Sequence, residues 1–598
     1  MQSKHFYPAA ALALLALLPL APVPAFWLTL GNDIGLAAIV ALGLVLLTGV
    51  GGMTSFGQAA FVGIGAYSSA WLCIHAGLSP WLGLAGGLLV TAVCAGLIGA
   101  MSMRLSGHYL PLGTIAWSLS LYFLFGNFEF LGKYDGINGI PALNLFGLSL
   151  QSEQAMFYLI WTVLLLAIVA LRNLLNSRPG RAMRAVKSGA QMAEAMGVDT
   201  RRMKMVMFVY AALLASLSGW LYAHLQRSVN PTPFGIANGI EYLFMAVIGG
   251  IGKLWGAVLG AGLFMLLKDV LQGSLPKLLG TGVHIDLIVF GVLLILLLQY
   301  ARDGVWPLLQ RWLPSVLPVR APARAEALPR RARPAAGEAL LEVAQVRKQF
   351  GGLVAVNDVS FALKAGEIVG LIGPNGAGKS TTFNLITGEL PLSAGSVRYR
   401  GELISGLASR QIVARGVARS FQHVHLLPGM TVLENVALGA HLRGEYASQG
   451  GFVASVLRLN RREEDRLLHE ARVQLERVGL GALLYAEAGS LALGQQRILE
   501  IARALCCDPA LLLLDEPAAG LRHLEKQALS QLLRKLQGEG MSVLLVEHDM
   551  EFVMTLCDRL VVMEFGTRIA EGTPAAIQCH PAVLEAYLGG IEEEGVLL

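Results

Sequence analysis

The sequence predicts two fold classes in one chain. A multi-span α-helical membrane domain, of about ten spans or half-spans, is followed by an α/β domain built on a phosphate loop. Three observations carry this. Only seven Asp, Glu, Lys or Arg residues fall between Met1 and Leu171. Apolar runs recur there that are long enough to cross a hydrocarbon core of roughly 30 Å. Beyond about Glu338 charged residues become frequent, and a strand-like run leads into GPNGAGKST.

The apolar segments fall near 8–30, 33–52, 57–76, 81–103, 110–128 and 154–171. Lys4 precedes the first of them, which reads as an uncleaved span rather than a signal peptide, because more apolar segments follow at once. Orientation follows from Lys and Arg. With Lys4 inside, four crossings return Arg104 to the inside, and six bring the Arg-rich loop Arg172–Lys204 there. Three further blocks, 205–225, 238–270 and 284–301, precede a basic tail from Arg302 to Arg333. That tail must also lie inside, so an even number of crossings separates the two. The middle block is broken by Gly249-Gly250-Ile251-Gly252, and two crossings or half-helices there restore parity. Such glycines either line a pathway or let helices pack closely.

The net charge of +5 is small for 598 residues, and the basic residues cluster beside apolar segments, so nucleic-acid binding is not expected. The six cysteines show no metal-ligand spacing and read as packed free thiols. Glu241, Lys268, Asp269, His284 and Asp286 sit near span ends, where snorkelling or capping accounts for them. The stretch Pro314–Gly337, rich in Pro, Ala and Arg, reads as an extended cytoplasmic tether whose arginines reach anionic lipid headgroups. These shifts divide the chain into a membrane domain, 1–313, the linker, 314–337, and a soluble domain, 338–598.

In the soluble half, Gly366–Ile372 is a strand-like run leading into Gly373, Pro374, Asn375, Gly376, Ala377, Gly378, Lys379, Ser380 and Thr381. Glycines there let backbone N–H groups wrap phosphates, and the following helix adds its positive end. Lys379 is expected to reach the β/γ-phosphates and Ser380 to ligate Mg²⁺. A second apolar run, Leu511–Leu514, ends in Asp515 and Glu516. Asp515 is expected to hold Mg²⁺, and Glu516 to polarise an attacking water. A buried strand with a capping acid would look similar, but the phosphate loop upstream favours the metal reading.

The order of these motifs resembles that of an ABC transporter ATPase over about residues 340–598. The resemblance implies that Gln422, in RSFQ, contacts Mg²⁺ and senses the membrane domain. It implies that His548, in VEHD, lies near the γ-phosphate, and that Phe350, ahead of Gly351-Gly352, stacks on adenine. FGGLVAVNDVSF, ARSFQHVHLLPGMTVLENV, GQQRILEIARAL, LDEPAAGL and LLVEHDM together resemble the ATPase subunits of branched-chain amino-acid importers. SFGQAAFVGIGAYSSAW, the stretch 180–223 and IGGIGKLWGAVLGA resemble the permease subunits of the same importers. In ABC importers a short cytoplasmic helix docks into the ATPase, and the resemblance carries that role to about residues 188–198, including Glu194, Ala195 and Gly197. Tyr109 and the loop Asp135–Ile140 resemble regions near the family's translocation path.

The resemblance implies a fused permease and ATPase subunit that uses ATP and Mg²⁺ for uptake across the bacterial inner membrane, with its ATPase domain and linker in the cytoplasm. It implies a second permease and ATPase, as separate chains or a second copy, and a periplasmic substrate-binding protein. Urea, short amides or aromatic acids are alternative substrates. An exporter half is disfavoured by the many short, glycine-rich spans, and a non-hydrolysing regulator by the presence of Glu516 and His548.

The stretch SLALGQQR, Ser490–Arg497, occupies the signature position, where the common form is LSGGQ. Ala492 replaces the serine, which removes one charge-assisted hydrogen bond of about 1.5–3 kcal/mol. Gly494 still permits close backbone approach, and Gln495 opens a helix whose positive end can face an anion. The importer ATPases that the chain resembles also lack this serine, often reading LAYGQ.

Overall fold

The computed structural model describes residues 18–20, 24–102, 109–145, 147–279, 285–310, 312, 321–322, 324–444 and 451–588. Lys4, Arg104, His284, Arg311, Arg320 and most of the first expected span lie outside the described residues, as do linker residues 314–320 and 323. The chain packs as two compact units. One comprises Met1–Leu175 and Arg201–Leu317; the other comprises Asn176–Thr200 and Pro318–Leu598.

In the first unit, six helices among the described residues are long and apolar enough to cross a membrane: Ala25–Val50, Pro80–Ser102, Tyr109–Asn127, Glu153–Leu175, Thr200–Gln226 and Leu254–Gln272. Gln58–Ile74 and Ile236–Gly249 are shorter apolar helices, and Ile285–Tyr300 follows. The break expected near residues 31–32 is absent: one helix runs from Ala25 to Leu44 and continues as π-helical turns through Val45–Val50. The polar residues there are taken up by packing, not by a turn. The Asn32 side-chain amide donates to the Glu153 carbonyl at 3.2 Å, and Gly31 lies against the Phe157 ring.

The 238–270 block divides as expected, into Ile236–Gly249 and Leu254–Leu279. Its glycines serve close packing. A Cβ on Gly249 or Gly260 would collide with the backbone of the facing helix, Gly256 in the first case and Met245 in the second. Glu241 and Lys268 pair with each other across these two helices at 2.6 Å, which replaces the snorkelling and capping expected of them.

The second unit holds a six-stranded sheet in the order Val417–Arg419, Leu511–Asp515, Ser542–Val546, Ile368–Ile372, Arg559–Glu564, Thr567–Gly572. All neighbours are parallel except the last hairpin. The three central strands are buried along their whole length, as their unbroken apolar runs require of a sheet covered on both faces. A four-stranded antiparallel sheet is ordered Leu353–Lys364, Ala339–Phe350, Ala394–Tyr399, Glu402–Leu403. A helical layer containing Val432–Ala437, Arg461–Arg477 and Leu493–Leu505 buries its own core, with Leu467, Leu475 and Leu499 fully enclosed.

The described part of the linker is not a free tether. Leu328, 4% exposed, joins the core of the helical layer. The Arg331 backbone N–H donates to Asp508 Oδ2 at 2.6 Å, and the Arg331 guanidinium donates to the Val413 carbonyl at 3.3 Å. Arg333 bonds the Pro509 carbonyl and pairs with Asp508 at 3.4 Å. Two of the arginines expected at lipid headgroups are thus taken by acceptors on the soluble domain, because a carboxylate and open carbonyls lie within reach of a strand of chain that Leu328 pins down.

Candidate active site

In a parallel sheet, ligands gather at the carboxyl ends of the strands, where loops and helix N-termini converge. Three adjacent strands deliver their ends here. Ile368–Ile372 leads into the phosphate loop, Leu511–Asp515 into Glu516, and between them Ser542–Val546 into Glu547 and His548. A cavity of about 560 Å³ is lined by Asn375 to Thr381, Gln422, Glu516 and His548, together with Leu353–Ala355, Phe565 and Gly566.

The phosphate loop is wound through positive φ at Gly373, Gly376 and Gly378, and Gly378 caps the helix Lys379–Ile386. At these positions no Cβ blocks approach to the loop's amides. Lys379 folds back over the loop and donates to the carbonyls of Gly373 and Pro374 at 2.7 and 2.9 Å. Burial lowers the pKa of this ammonium, with Glu516 and Asp515 opposing the shift.

Glu516 stands at φ 48°, a left-handed conformation that a non-glycine residue adopts at a cost. Its N–H is anchored on the Val546 carbonyl at 2.8 Å. Its Oε1 accepts from Gln422 Nε2 at 3.0 Å and from His548 Nε2 at 2.6 Å. Glu547 braces this corner from behind, accepting from the N–H groups of Ala518 and His548. Asp515 is buried, and burial pushes its carboxyl up to about 6 against the pull of Arg419. Among the described residues its Oδ1 has no hydrogen-bond partner, which is what a carboxylate set aside for a cation would show.

Gln422, Glu516 and His548, singled out separately in the sequence, thus meet on one carboxylate oxygen. Phe350 is exposed and not part of the cavity lining; Lys348 Nζ lies 5.0 Å from its ring centre. Ala492, Gly494 and Gln495 are likewise away from this cavity. They open the helix Leu493–Leu505, with the Ala492 N–H donating to Gln495 Oε1 at 3.3 Å, and Leu493 beside them is exposed.

One group of positions that holds the Gln422 loop in place escapes sequence reasoning. Arg497, in the first turns of that helix, donates to the carbonyls of Phe421 and Gln422 at 3.0 and 2.6 Å. Glu500 accepts from the His425 N–H at 2.9 Å, and Arg503 donates to the His425 carbonyl at 2.7 Å. The signature helix therefore grips the Gln422 loop by its backbone. The spacing of Arg497, Glu500 and Arg503, three residues apart on one helical face, is the signal that could have found it.

The segment Asn176–Thr200 contributes two helices to this unit, Arg178–Ser188 and Ala190–Ala195. Arg178 pairs with Glu463 at 2.8 Å, Arg181 with Glu464, and Arg184 with Glu434 at 3.0 Å. Asp199 pairs with Arg410, and the Met196 sulfur lies 4.0 Å from Cys507 Sγ. Gly197, at φ 83°, sits where a Cβ would strike Leu442. Ala195 is buried, and Glu194 Oε1 accepts from Thr200 Oγ1 at 2.7 Å, closing the turn after the short helix.

Comparison with known proteins now decides the family. Residues 26–298 match the family described as branched-chain amino acid transport system / permease component. Residues 356–519 match the ABC transporter family, and 567–593 the branched-chain amino acid ATP-binding cassette transporter family. The high-affinity branched-chain amino acid transport ATP-binding protein LivG of Salmonella typhimurium is 44% identical over 253 residues, 42% of this chain and 98% of that one. The chain belongs to the branched-chain amino acid ABC transporter family. BraF of Pseudomonas aeruginosa, which carries the same description, is 43% identical over the same shares. The crystal structure of a nucleotide-free ATP-binding cassette from an ABC transporter aligns at 31% identity over 42% of this chain and 98% of that one, with a TM-score of 0.37. This family member joins a permease component and an ABC transport ATPase in one polypeptide.

Proposed function

We propose that the chain is the fused permease and ATPase subunit of an importer that takes up branched-chain or related amino acids across the bacterial inner membrane. One observation supports this above the rest. The phosphate loop, Gln422, Glu516 and His548 line a single cavity in a chain whose other half matches a branched-chain amino acid permease component. The boundaries that fit this reading are 1–313 for the membrane domain, 314–337 for the linker and 338–598 for the cassette.

ATP lies along the phosphate loop, with Lys379 swinging from the Gly373 and Pro374 carbonyls to the β/γ-phosphates. Ser380, Asp515 and Gln422 would hold Mg²⁺, and the buried, unpartnered Asp515 oxygen fits that role. The ion, when bound, neutralises charge developing on the phosphates. Glu516, held at its strained φ, accepts a proton from the attacking water once Gln422 and His548 release its oxygen, and His548 turns to the γ-phosphate. Phe350 supports the adenine from outside the described cavity.

The signature residues Ala492, Gly494 and Gln495 face the ATP of a second cassette. Partners are therefore a second permease and ATPase, as separate chains or another copy, and a periplasmic substrate-binding protein. Asn176–Thr200, gripped by the cassette and continuous with the Thr200–Gln226 helix, passes cassette closure to the membrane domain. The reading is tested by reconstituting the purified complex with its binding protein and measuring ATP-driven uptake of labelled leucine. Glu516→Gln is expected to retain ATP binding and lose uptake, by two orders of magnitude or more. Unchanged uptake in that variant defeats the mechanism.

A further inference from the structure

The helix Gln58–Ile74 starts inside the membrane unit after a non-helical stretch, Gly51–Gly57, that separates it from Ala25–Val50. Its N-cap residue, Gly57, supplies no side-chain cap. Gln58, the first helical residue, is fully buried, and among the described residues neither its Nε2 nor its Oε1 has a hydrogen-bond partner. On the neighbouring Tyr109–Asn127 helix, Ser118 is also fully buried, with its Oγ unpartnered. The stretch leading into the first helix touches the second just before Gln58. The Phe56 N–H donates to Thr114 Oγ1 at 3.2 Å, and Ser118 follows Thr114 by one turn on the same face.

An apolar membrane interior penalises every unmade hydrogen bond, so a primary amide kept with both ends unpaired is costly unless another state uses it. Glutamine's amide presents a donor and an acceptor side by side. The α-carbon end of a free amino acid presents the complement, a carboxylate that accepts and an ammonium that donates. The uncapped N–H groups of the helix add positive potential on the side where the carboxylate would sit, as broken membrane helices provide for anionic groups. A leucine or methionine would pack the same volume at no polar cost.

We propose that Gln58 is a contact for the zwitterionic head of the transported amino acid, with Ser118 as its companion. This rests on the importer reading above. The amide is enclosed in the present state, so the site forms when the two helices part, and it recloses after the substrate has passed.

The test uses the full complex with its partner subunits and binding protein, labelled L-leucine as probe, and Gln58→Met and Ser118→Ala. Gln58→Met is expected to lose about tenfold or more in leucine uptake, the scale of a charge-assisted hydrogen bond, while its Tm holds or rises. Ser118→Ala loses less. Wild-type complex that moves urea or acetamide but not leucine overturns the substrate reading, independently of any variant. Wild type that moves leucine, with Gln58→Met unchanged, overturns the Gln58 proposal alone. A lowered Tm in Gln58→Met also overturns it, because the amide would then have a structural partner such as a bound water.

Discussion

Two pieces of chain outside the ATPase motifs are packed into the cassette unit, and they are held by different physics. Asn176–Thr200 comes from between membrane helices and is fixed by ion pairs, of which Arg178–Glu463 is buried and Arg181–Glu464 is buried on its arginine side. Among the described residues the linker is fixed by an apolar anchor, Leu328, with Ala321 against the same core, and by bonds from Arg331 and Arg333 to Asp508 and nearby carbonyls. Buried ion pairs add little net stability, but each fixes a unique register, and losing one partner strands the other charge. An apolar anchor is less directional and loses only its own burial. The loop proposed to transmit motion is held chiefly by register-setting ion pairs, and the tether adds an apolar anchor to its polar bonds.

That contrast can be broken in order of size. Glu464→Ala strands the buried Arg181 and is expected to cost about 3–5 kcal/mol of docking. Thermal unfolding should show it, together with loss of ATP-driven uptake while nucleotide binding persists. Replacing Arg181 and Glu464 together by apolar residues should restore most of the stability, and failure to do so would mean that the pair is more than a register device. Leu328→Ala is expected to destabilise the cassette by about 2–4 kcal/mol, as other buried leucine truncations do, with transport falling only as far as stability does. Arg333→Ala, at a partly exposed pair, should cost about 0.5–1.5 kcal/mol. Arg410→Ala, opposite Asp199 in a pair exposed by more than a third on each side, should cost no more than about 1 kcal/mol and less in high salt.

Acid should act on the loop's socket. His441 is half-buried in this unit with its Nδ1 enclosed, and that desolvation, reinforced by Arg178 and Arg181, lowers its pKa to about 3. A histidine with a depressed folded pKa binds fewer protons folded than unfolded between that value and its ordinary pKa near 6.5. Stability therefore declines as pH falls below about 6.5 and keeps declining towards 3. His441→Phe should flatten that part of the profile in unfolding measured against pH, and an unchanged slope would assign the acid sensitivity elsewhere.

Much of the active site was legible because its chemistry is local. Glycines at Gly373, Gly376 and Gly378, a lysine after them and two acids after an apolar strand are demands that a phosphate and a cation place on short stretches of chain. Gln422, Glu516 and His548 were named one by one, but their meeting on a single oxygen depended on strand order, which puts Ser542–Val546 between Ile368–Ile372 and Leu511–Asp515. The tether misled because arginine beside apolar sequence suits a lipid surface as well as it suits Asp508.

The sequence by itself determined the two fold classes, the phosphate loop and the acids that serve it, since hydrophobic period and backbone freedom are written residue by residue. Only the tertiary structure decided which charges serve whom. Arg178, Arg181 and Arg184 find Glu463, Glu464 and Glu434 across some 250 to 285 positions of chain. Coulomb attraction depends on distance in space and is blind to distance in sequence, so no local pattern could announce those partners.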